Sequence, residues 1–142
     1  MNSKELRIGN WVEFNGKHGI VITIGKKSVI IELGTKIKEH SAYTESENPN
    51  LDEIKPIPLD EEWLLKFGFK NITLKYQENS ELIGLYLENL DSYLTFDNNE
   101  WRLEQDDDWR DGGNHHDLPN FEFVHQLQNL YFALTGKELT LK

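Results

Sequence analysis

The chain has 142 residues, with 25 Asp and Glu against 15 Lys and Arg, a formal net charge of −10, and no cysteine. This length suits one ordinary domain and excludes two full-size ones, while four Trp, five Tyr and seven Phe argue against intrinsic disorder. The lack of thiols excludes disulfide scaffolds, Cys-based zinc sites and thiol catalysis. The start lacks the apolar core of a signal peptide, and no apolar run approaches the roughly 20 residues of a membrane span. We therefore expect a cytoplasmic protein with no membrane partner.

The charge is unevenly distributed along the chain. Residues 1–44 carry seven basic and four acidic side chains, a net charge of +3, whereas residues 45–142 carry eight basic and 21 acidic ones, a net charge of −13. An acidic surface repels phosphate, so direct binding of nucleic acid is not expected. The acidic part has three interpretations: a device for solubility, a mimic of nucleic acid, or a surface that docks on a basic partner.

The first part of the chain has the pattern of short strands. Residues 6–14 alternate apolar and polar side chains, and Asn15-Gly16 is a strong hairpin signal. Two β-branched runs, residues 20–24 and 29–33, flank a short Gly-Lys-Lys-Ser turn. This spacing predicts a three-stranded, SH3-like β meander over residues 1–44.

A linker and a short helix are predicted next. Residues 45–58 are assigned to the linker, because the run 44–53 is rich in Glu, Asn and Ser. Pro56 and Pro58 then keep the residue before each of them extended. Asp60 is a good N-cap, and two glutamates follow it at the positive end of the helix dipole. Gly68 can adopt the left-handed conformation that ends a helix.

The remainder predicts a second sheet and a last helix. Four runs separated by turn-rich segments indicate an antiparallel meander: residues 72–76, 82–87, 93–96 and 101–104. A loop should follow, then a helix from Val124 to Leu134 that stops at Gly136. The expected fold class is α+β: an N-terminal SH3-like β meander, a short helix, an antiparallel sheet and a C-terminal helix. Residues 59–142 form an α+β segment that makes one compact unit with the N-terminal part.

An acidic segment contains the first candidate site. Residues 97–122 hold nine acidic and two basic side chains beside aromatic, guanidinium and imidazole groups. Indole rings offer stacking faces, Arg offers a fork for phosphate or carboxylate, and amide and imidazole groups are adaptable donors. The candidate ligand-binding residues are Trp101, Trp109, Arg110, Asn114, His115 and His116, and Gly112-Gly113 would let the loop close over a ligand. A solvated loop and a metal site are the alternatives, but the spacing matches no metal motif, so no metal and no cofactor is assigned.

The predicted last helix has two unlike faces. One arc is apolar and is expected to face the core: Phe123, Val124, Leu127, Leu130, Tyr131 and Leu134. The opposite arc holds four uncharged side chains that form the second candidate site: His125, Gln128, Asn129 and Phe132. A solvated face is normally rich in Glu and Lys, so this arc should be covered. It either packs on the N-terminal module with its amides pairing backbone groups, or forms a homodimer interface, or lines a pocket.

Three stretches of the chain have a specific wording: Leu6-Arg-Ile-Gly-Asn-Trp-Val12, the run Ile54-Lys-Pro-Ile-Pro-Leu59 with Glu62-Trp-Leu-Leu-Lys-Phe-Gly-Phe69, and residues 124–139, VHQLQNLYFALTGKEL. These stretches resemble a family of small proteins from phages and mobile elements of Bacteroidota. The resemblance implies an accessory protein that binds host components, including defence proteins and nucleotide-derived immune signals. The family has no established catalytic residues to carry over.

The function expected from these features is non-enzymatic binding. No Ser-His-Asp order and no phosphate-cradling Gly-x-x-x-x-Gly-Lys is readable. The leading hypothesis is a phage accessory protein of counter-defence that acts as a homodimer in the host cytosol. It would sequester a small nucleotide-like ligand or a host defence protein. The alternative is an acidic nucleic-acid mimic or protein inhibitor on a basic partner, and the third is a metal-dependent hydrolase that uses Asp106, Asp107 and Asp108 with His115 and His116.

Overall fold

The computed structural model describes residues 1–38, 41–77, 80–87, 92–97, 100–105 and 121–142. Their elements in chain order are β1 (Trp11–Phe14), β2 (Lys17–Ile24), β3 (Val29–Lys38), β4 (Ser41–Glu47), α1 (Glu61–Lys66), β5 (Lys70–Gln77), β6 (Ser80–Leu87), β7 (Ser92–Asp97), β8 (Glu100–Gln105) and α2 (Val124–Thr135). The strands form two four-stranded sheets, in the orders β1-β2-β3-β4 and β5-β6-β7-β8, and neighbouring strands run antiparallel. The α+β class is therefore confirmed.

The chain divides into two units. The first consists of Met1–Pro58 with Phe123–Leu130, and the second of Leu59–Glu122 with Tyr131–Lys142. Residues 45–58, expected to be a linker, thus belong to the first unit. Ile54 and Ile57 are each only 2% exposed, and residue 55 forms an isolated bridge with Glu13, so this segment is packed rather than solvated.

The first hairpin forms at the predicted turn, but β1 is shorter than expected. Asn15 and Gly16 both have positive φ, 50° and 73°, the conformation that a two-residue hairpin turn needs. The strand begins at Trp11 and not at residue 6. Gly9, at φ 94°, turns the chain just before it, and the Asn10 side chain accepts a hydrogen bond from the N–H of Arg7 at 2.7 Å.

The predicted loop over residues 44–53 is wrong for residues 44–47, which belong to the fourth strand of the first sheet. β4 pairs with β3 from Lys38↔Ser41 to Ile31↔Glu47. Its Ser, Thr and Glu residues do not alternate with apolar ones. The strand therefore forms through backbone hydrogen bonds to β3, without an apolar pattern in its own sequence. The apolar centre of the first unit is made of buried residues from the strands and their flanks: Leu6, Val12, Val21, Val29, Ile31 and Ile54.

The short helix α1 has the predicted signals at both ends. Asp60 is the N-cap, and its carboxylate accepts from the N–H of Trp63 at 2.9 Å. At the other end the N–H of Gly68 donates to Leu65 and that of Phe69 donates to Leu64, with Gly68 at φ 87°. This pair of bonds is a Schellman motif, so the predicted C-terminal stop is confirmed.

The second sheet and α2 also follow the predicted order. β5 to β8 contain all four predicted strands, and α2 ends at Thr135, with Gly136 at φ 69°. The apolar arc of α2 is correct for Val124, Leu127 and Tyr131, which are buried. It is wrong for Leu134, which is 51% exposed because it lies in the last turn of the helix.

Candidate functional site

The first candidate site lies almost wholly outside the described residues. This holds for Trp109, Arg110, Asn114, His115 and His116, and also for Asp106, Asp107 and Asp108 of the metal-dependent alternative. Trp101 is placed by its backbone: it lies on β8, directly opposite Phe96 of β7. Trp101 therefore belongs to a defined strand of the second sheet, and in the chain this strand directly precedes the segment that carries the other candidates.

Both neighbours of the segment 106–120 are fixed in the second unit. On one side β8 ends at Gln105. On the other, Phe121 is 3% exposed, and the carbonyl of Glu122 accepts from the N–H of Leu59 at 2.8 Å. Binding residues are commonly carried by a connecting segment whose ends are held on a rigid scaffold, and the two anchors here supply such a scaffold.

The second candidate set is divided by the structure, because Gln128 has an internal role. Its Oε1 accepts from the N–H of Trp11 at 2.9 Å, and its Nε2 donates to the carbonyl of Gly9 at 3.0 Å. A residue of a parallel strand opposite Asn10 would make the same two bonds, to the carbonyl before it and the N–H after it. The Gln128 amide, itself 1% exposed, thus pairs the backbone at the start of β1 in the way a strand would.

Asn129 extends this pairing to the chain segment before β1. Its Oδ1 accepts from Nδ2 of Asn10 at 3.0 Å, and its Nδ2 donates to the carbonyl of Glu5 at 2.8 Å. Asn10 is fully buried, and its own Oδ1 accepts from Arg7. Together, Gln128 and Asn129 hold residues 5–11, which we call the N-terminal segment. Of the three interpretations of this helix face, Gln128 and Asn129 therefore follow the first, in which the helix packs on the N-terminal module and its amides pair backbone groups.

Asn10 is a structural residue that sequence reasoning missed. It was included only in a predicted strand, although its position beside Gly9 is typical of a turn, where Asn side chains hydrogen-bond nearby backbone. That local signal was available. The bond to Asn129 had no local signal, since the two residues are 119 positions apart.

His125 is the least ordinary residue of the second set. It is 2% exposed, its ring lies nearly parallel to that of Phe123 with centroids 6.0 Å apart, and its Nδ1 has no hydrogen-bond partner within the described part of the chain. Burial lowers the pKa of His125 below its ordinary value of 6.5, and the negative charge of Glu5 partly opposes that shift. The imidazole is therefore held in its neutral form near pH 7.

Phe132 differs from the other three residues because it lies in the part of α2 that belongs to the second unit, and it is only partly buried. It is therefore the member of the set that keeps accessible apolar surface. Among the residues that the structure describes, no three His, Asp or Glu side chains gather in a way that could hold a metal ion.

Comparisons of the chain with protein-family models, with curated proteins and with solved structures find no match. In the described ranges, no helix is both long enough and apolar enough to cross a membrane.

Proposed function

We propose that the protein is a non-enzymatic binding protein that sequesters a small nucleotide-like ligand through the segment 106–120 and the neighbouring Trp101. The observation that carries the proposal is the anchoring of this segment at both ends, by β8 and by the buried Phe121. The internal use of Gln128 and Asn129 adds to it, because it removes these two amide groups of α2 from the groups available to a ligand.

The chemistry of the segment suits an aromatic base that carries phosphate. Trp109 supplies a stacking face, and Arg110 supplies a planar fork that can donate two hydrogen bonds to one phosphate. Residues 97–122 carry a net charge of −7, from nine acidic and two basic side chains, which repels an anionic ligand. A phosphate bound there depends strongly on Arg110, and the amide and imidazole groups of Asn114, His115 and His116 add donors.

The test is calorimetric titration of the purified protein with a panel of linear and cyclic nucleotides. We expect at least one nucleotide to bind, and we expect Arg110→Lys to weaken that binding at least about tenfold, because Lys keeps the charge but loses the fork. Trp109→Ala should weaken it similarly through the loss of stacking. The matched control is Lys137→Ala, which removes an exposed charge outside the segment and should leave affinity unchanged. A panel without any binding, or binding that ignores both variants, would reject the proposal.

An acidic surface that docks on a basic partner is the second candidate. It is favoured by the net charge of −13 over residues 45–142 and by the exposed Glu61 and Glu62 at the start of α1. Salt separates the two functions. Docking driven by charge should weaken steeply between low and moderate salt, whereas a stacked ligand should respond less.

The resemblance to phage and mobile-element proteins supplies the biological setting of the proposal. A protein of this kind would act in the host cytosol, in counter-defence, on an immune signal or on a defence protein. It would form a homodimer through the partly buried Phe132, since His125 and Gln128 are already covered within the chain. We also propose that the first sheet has an SH3-like arrangement.

A further inference from the structure

We propose that His125 is an acid-sensitive latch: protonation of its imidazole opens the contact between α2 and the N-terminal segment, residues 5–11. The inference concerns the first unit and is independent of the proposed ligand. It follows from three features: a buried imidazole with an unpartnered nitrogen, a carboxylate on the N-terminal segment whose attraction is outweighed by that burial, and hydrogen bonds that join the same face of α2 to the segment.

The first feature is the environment of the imidazole. His125 is 2% exposed and stacks on the uncharged Phe123, and Nδ1 finds no acceptor among the described residues. A proton bound there creates a cation in an apolar, desolvated place. Such a charge is tolerated only if it gains a partner or water, so protonation favours a conformation in which the ring is less covered.

The second feature is the charge that faces the ring. In the described part of the chain, Glu5 is the charged group that acts on His125, and it belongs to the N-terminal segment. Burial outweighs this attraction and lowers the pKa of His125, so the ring stays neutral near pH 7 and takes up a proton only at lower pH. Because the attraction of Glu5 does not offset the burial, the charged ring gains water only when the segment, α2 or both move.

The third feature couples this movement to hydrogen bonds. Gln128 and Asn129 lie three and four positions after His125, on the same side of the helix. They hold the N–H of Trp11 and the carbonyls of Gly9 and Glu5. A displacement at His125 therefore breaks bonds that fix the N-terminal segment, while the buried Leu6 keeps the segment attached to the apolar centre of the unit. The expected change is a local opening and not unfolding.

The experiment is NMR-detected hydrogen exchange on the full chain, from about pH 7 downwards to the pH at which the imidazole of His125 is seen to titrate in the NMR spectrum. The reporters are the backbone N–H of Trp11 and the side-chain N–H of Asn129, which donate across the contact to Gln128 and to the carbonyl of Glu5. The internal controls are the N–H groups of Val29 and Lys55, which donate to Pro49 and Glu13 elsewhere in the first unit. We expect the protection factors of the reporters to fall at least about tenfold at the lower pH while those of the controls stay constant.

Two variants complete the test. His125→Phe keeps an aromatic ring that cannot be charged, and it should abolish the pH dependence of the Trp11 reporter. If it does not fold, His125→Gln serves the same purpose with a smaller neutral side chain. Reporters that stay protected in the wild type while the imidazole titrates in the NMR spectrum would overturn the proposal. So would reporters and controls that lose protection together, because that result means global unfolding.

Discussion

The side-chain amide of Asn10 donates to the side-chain oxygen of Asn129 across 3.0 Å, although 119 positions separate the two residues in the chain. This bond joins the turn before the first strand to the middle of the last helix. Asn10 is fully buried and also accepts from the N–H of Arg7, so one side chain shapes the turn and binds the helix. The uncharged side chains of Gln128 and Asn129 on α2 are thereby explained by the backbone groups to which they hydrogen-bond.

The first prediction concerns Gln128, whose amide serves two backbone groups. Gln128→Met keeps the length of the side chain but leaves the N–H of Trp11 and the carbonyl of Gly9 without this partner. Each unsatisfied buried group costs roughly 1–3 kcal/mol, so the free energy of unfolding should fall by about 2–4 kcal/mol in urea denaturation. The matched control is Gln126→Met on the exposed side of the same helix, which gives up one exposed hydrogen bond from the N–H of Phe123 and should cost clearly less. Equal losses for the two variants would contradict this role of Gln128.

The second prediction compares two glycines that end helices. Gly68 and Gly136 have φ of 87° and 69°, where a residue with a Cβ is strained by about 1–2 kcal/mol. A Cβ at Gly136 meets no atom within 4 Å, whereas one at Gly68 would overlap the side chain of Lys142. Gly136→Ala should therefore show the conformational cost alone, and Gly68→Ala that cost or more, both measured by chemical denaturation. Adding Lys142→Ala to Gly68→Ala should remove the excess. A smaller loss for Gly68→Ala than for Gly136→Ala would argue against this packing.

The third prediction concerns the dependence of stability on pH. The pKa of His125 is lowered by burial, so the unfolded chain takes up the proton first as the pH falls below about 6.5. The free energy of unfolding should therefore decrease from that pH downwards, until the pH passes the lowered pKa of the folded state. Above about 6.5 the residue contributes no pH dependence, since both states are neutral there.

Glu5 affects the pH range over which His125 lowers the free energy of unfolding. Its charge raises the pKa of His125, so Glu5→Gln should lower that pKa further and extend the loss of stability to lower pH. Urea denaturation from pH 8 to about pH 5, in the wild type and in a cycle with His125→Phe, separates this coupling from the other effects of the Glu5→Gln substitution. A Glu5→Gln variant with an unchanged pH profile would show that the two residues are not coupled.

The fourth prediction concerns Phe132 and the proposed homodimer. Phe132→Ala should convert a dimer to a monomer, as measured by light scattering. The melting temperature should fall less than for a fully buried Phe, whose truncation costs roughly 3–5 kcal/mol. Leu65→Ala, which shortens an exposed side chain of α1, is the control and should leave the mass unchanged. A monomeric wild type, or a dimer that survives Phe132→Ala, would refute this interface.

Local signals were sufficient for the elements whose ends are set by their own residues. Asp60 and Gly68 set the two ends of α1 through hydrogen bonds to residues a few positions away. The Asn15-Gly16 turn sets the first hairpin. The strands of the second sheet were readable because β-branched and aromatic runs alternate with turn-rich segments. Such features need no knowledge of the rest of the chain.

Contacts between distant parts of the chain set the limit of prediction. Residues 44–47 of β4 are polar and pair with β3 through their backbone, so their own side chains predicted a loop. The role of Gln128 was foreseeable as one of three alternatives, but the choice depends on backbone groups more than a hundred positions away. The ligand-binding assignment of Trp109 and Arg110 stays a prediction, because these residues lie outside the described ranges.

Native mass spectrometry of the protein recovered from the cells that produce it tests the proposed sequestration most directly. We predict a mass above that of the polypeptide, lost on denaturation, with release of a phosphate-bearing nucleotide-like molecule. The matched Arg110→Lys protein should be recovered without that molecule, and Lys137→Ala should retain it. Wild-type protein that carries only its polypeptide mass, and that binds no member of the nucleotide panel, would contradict sequestration of a nucleotide-like ligand.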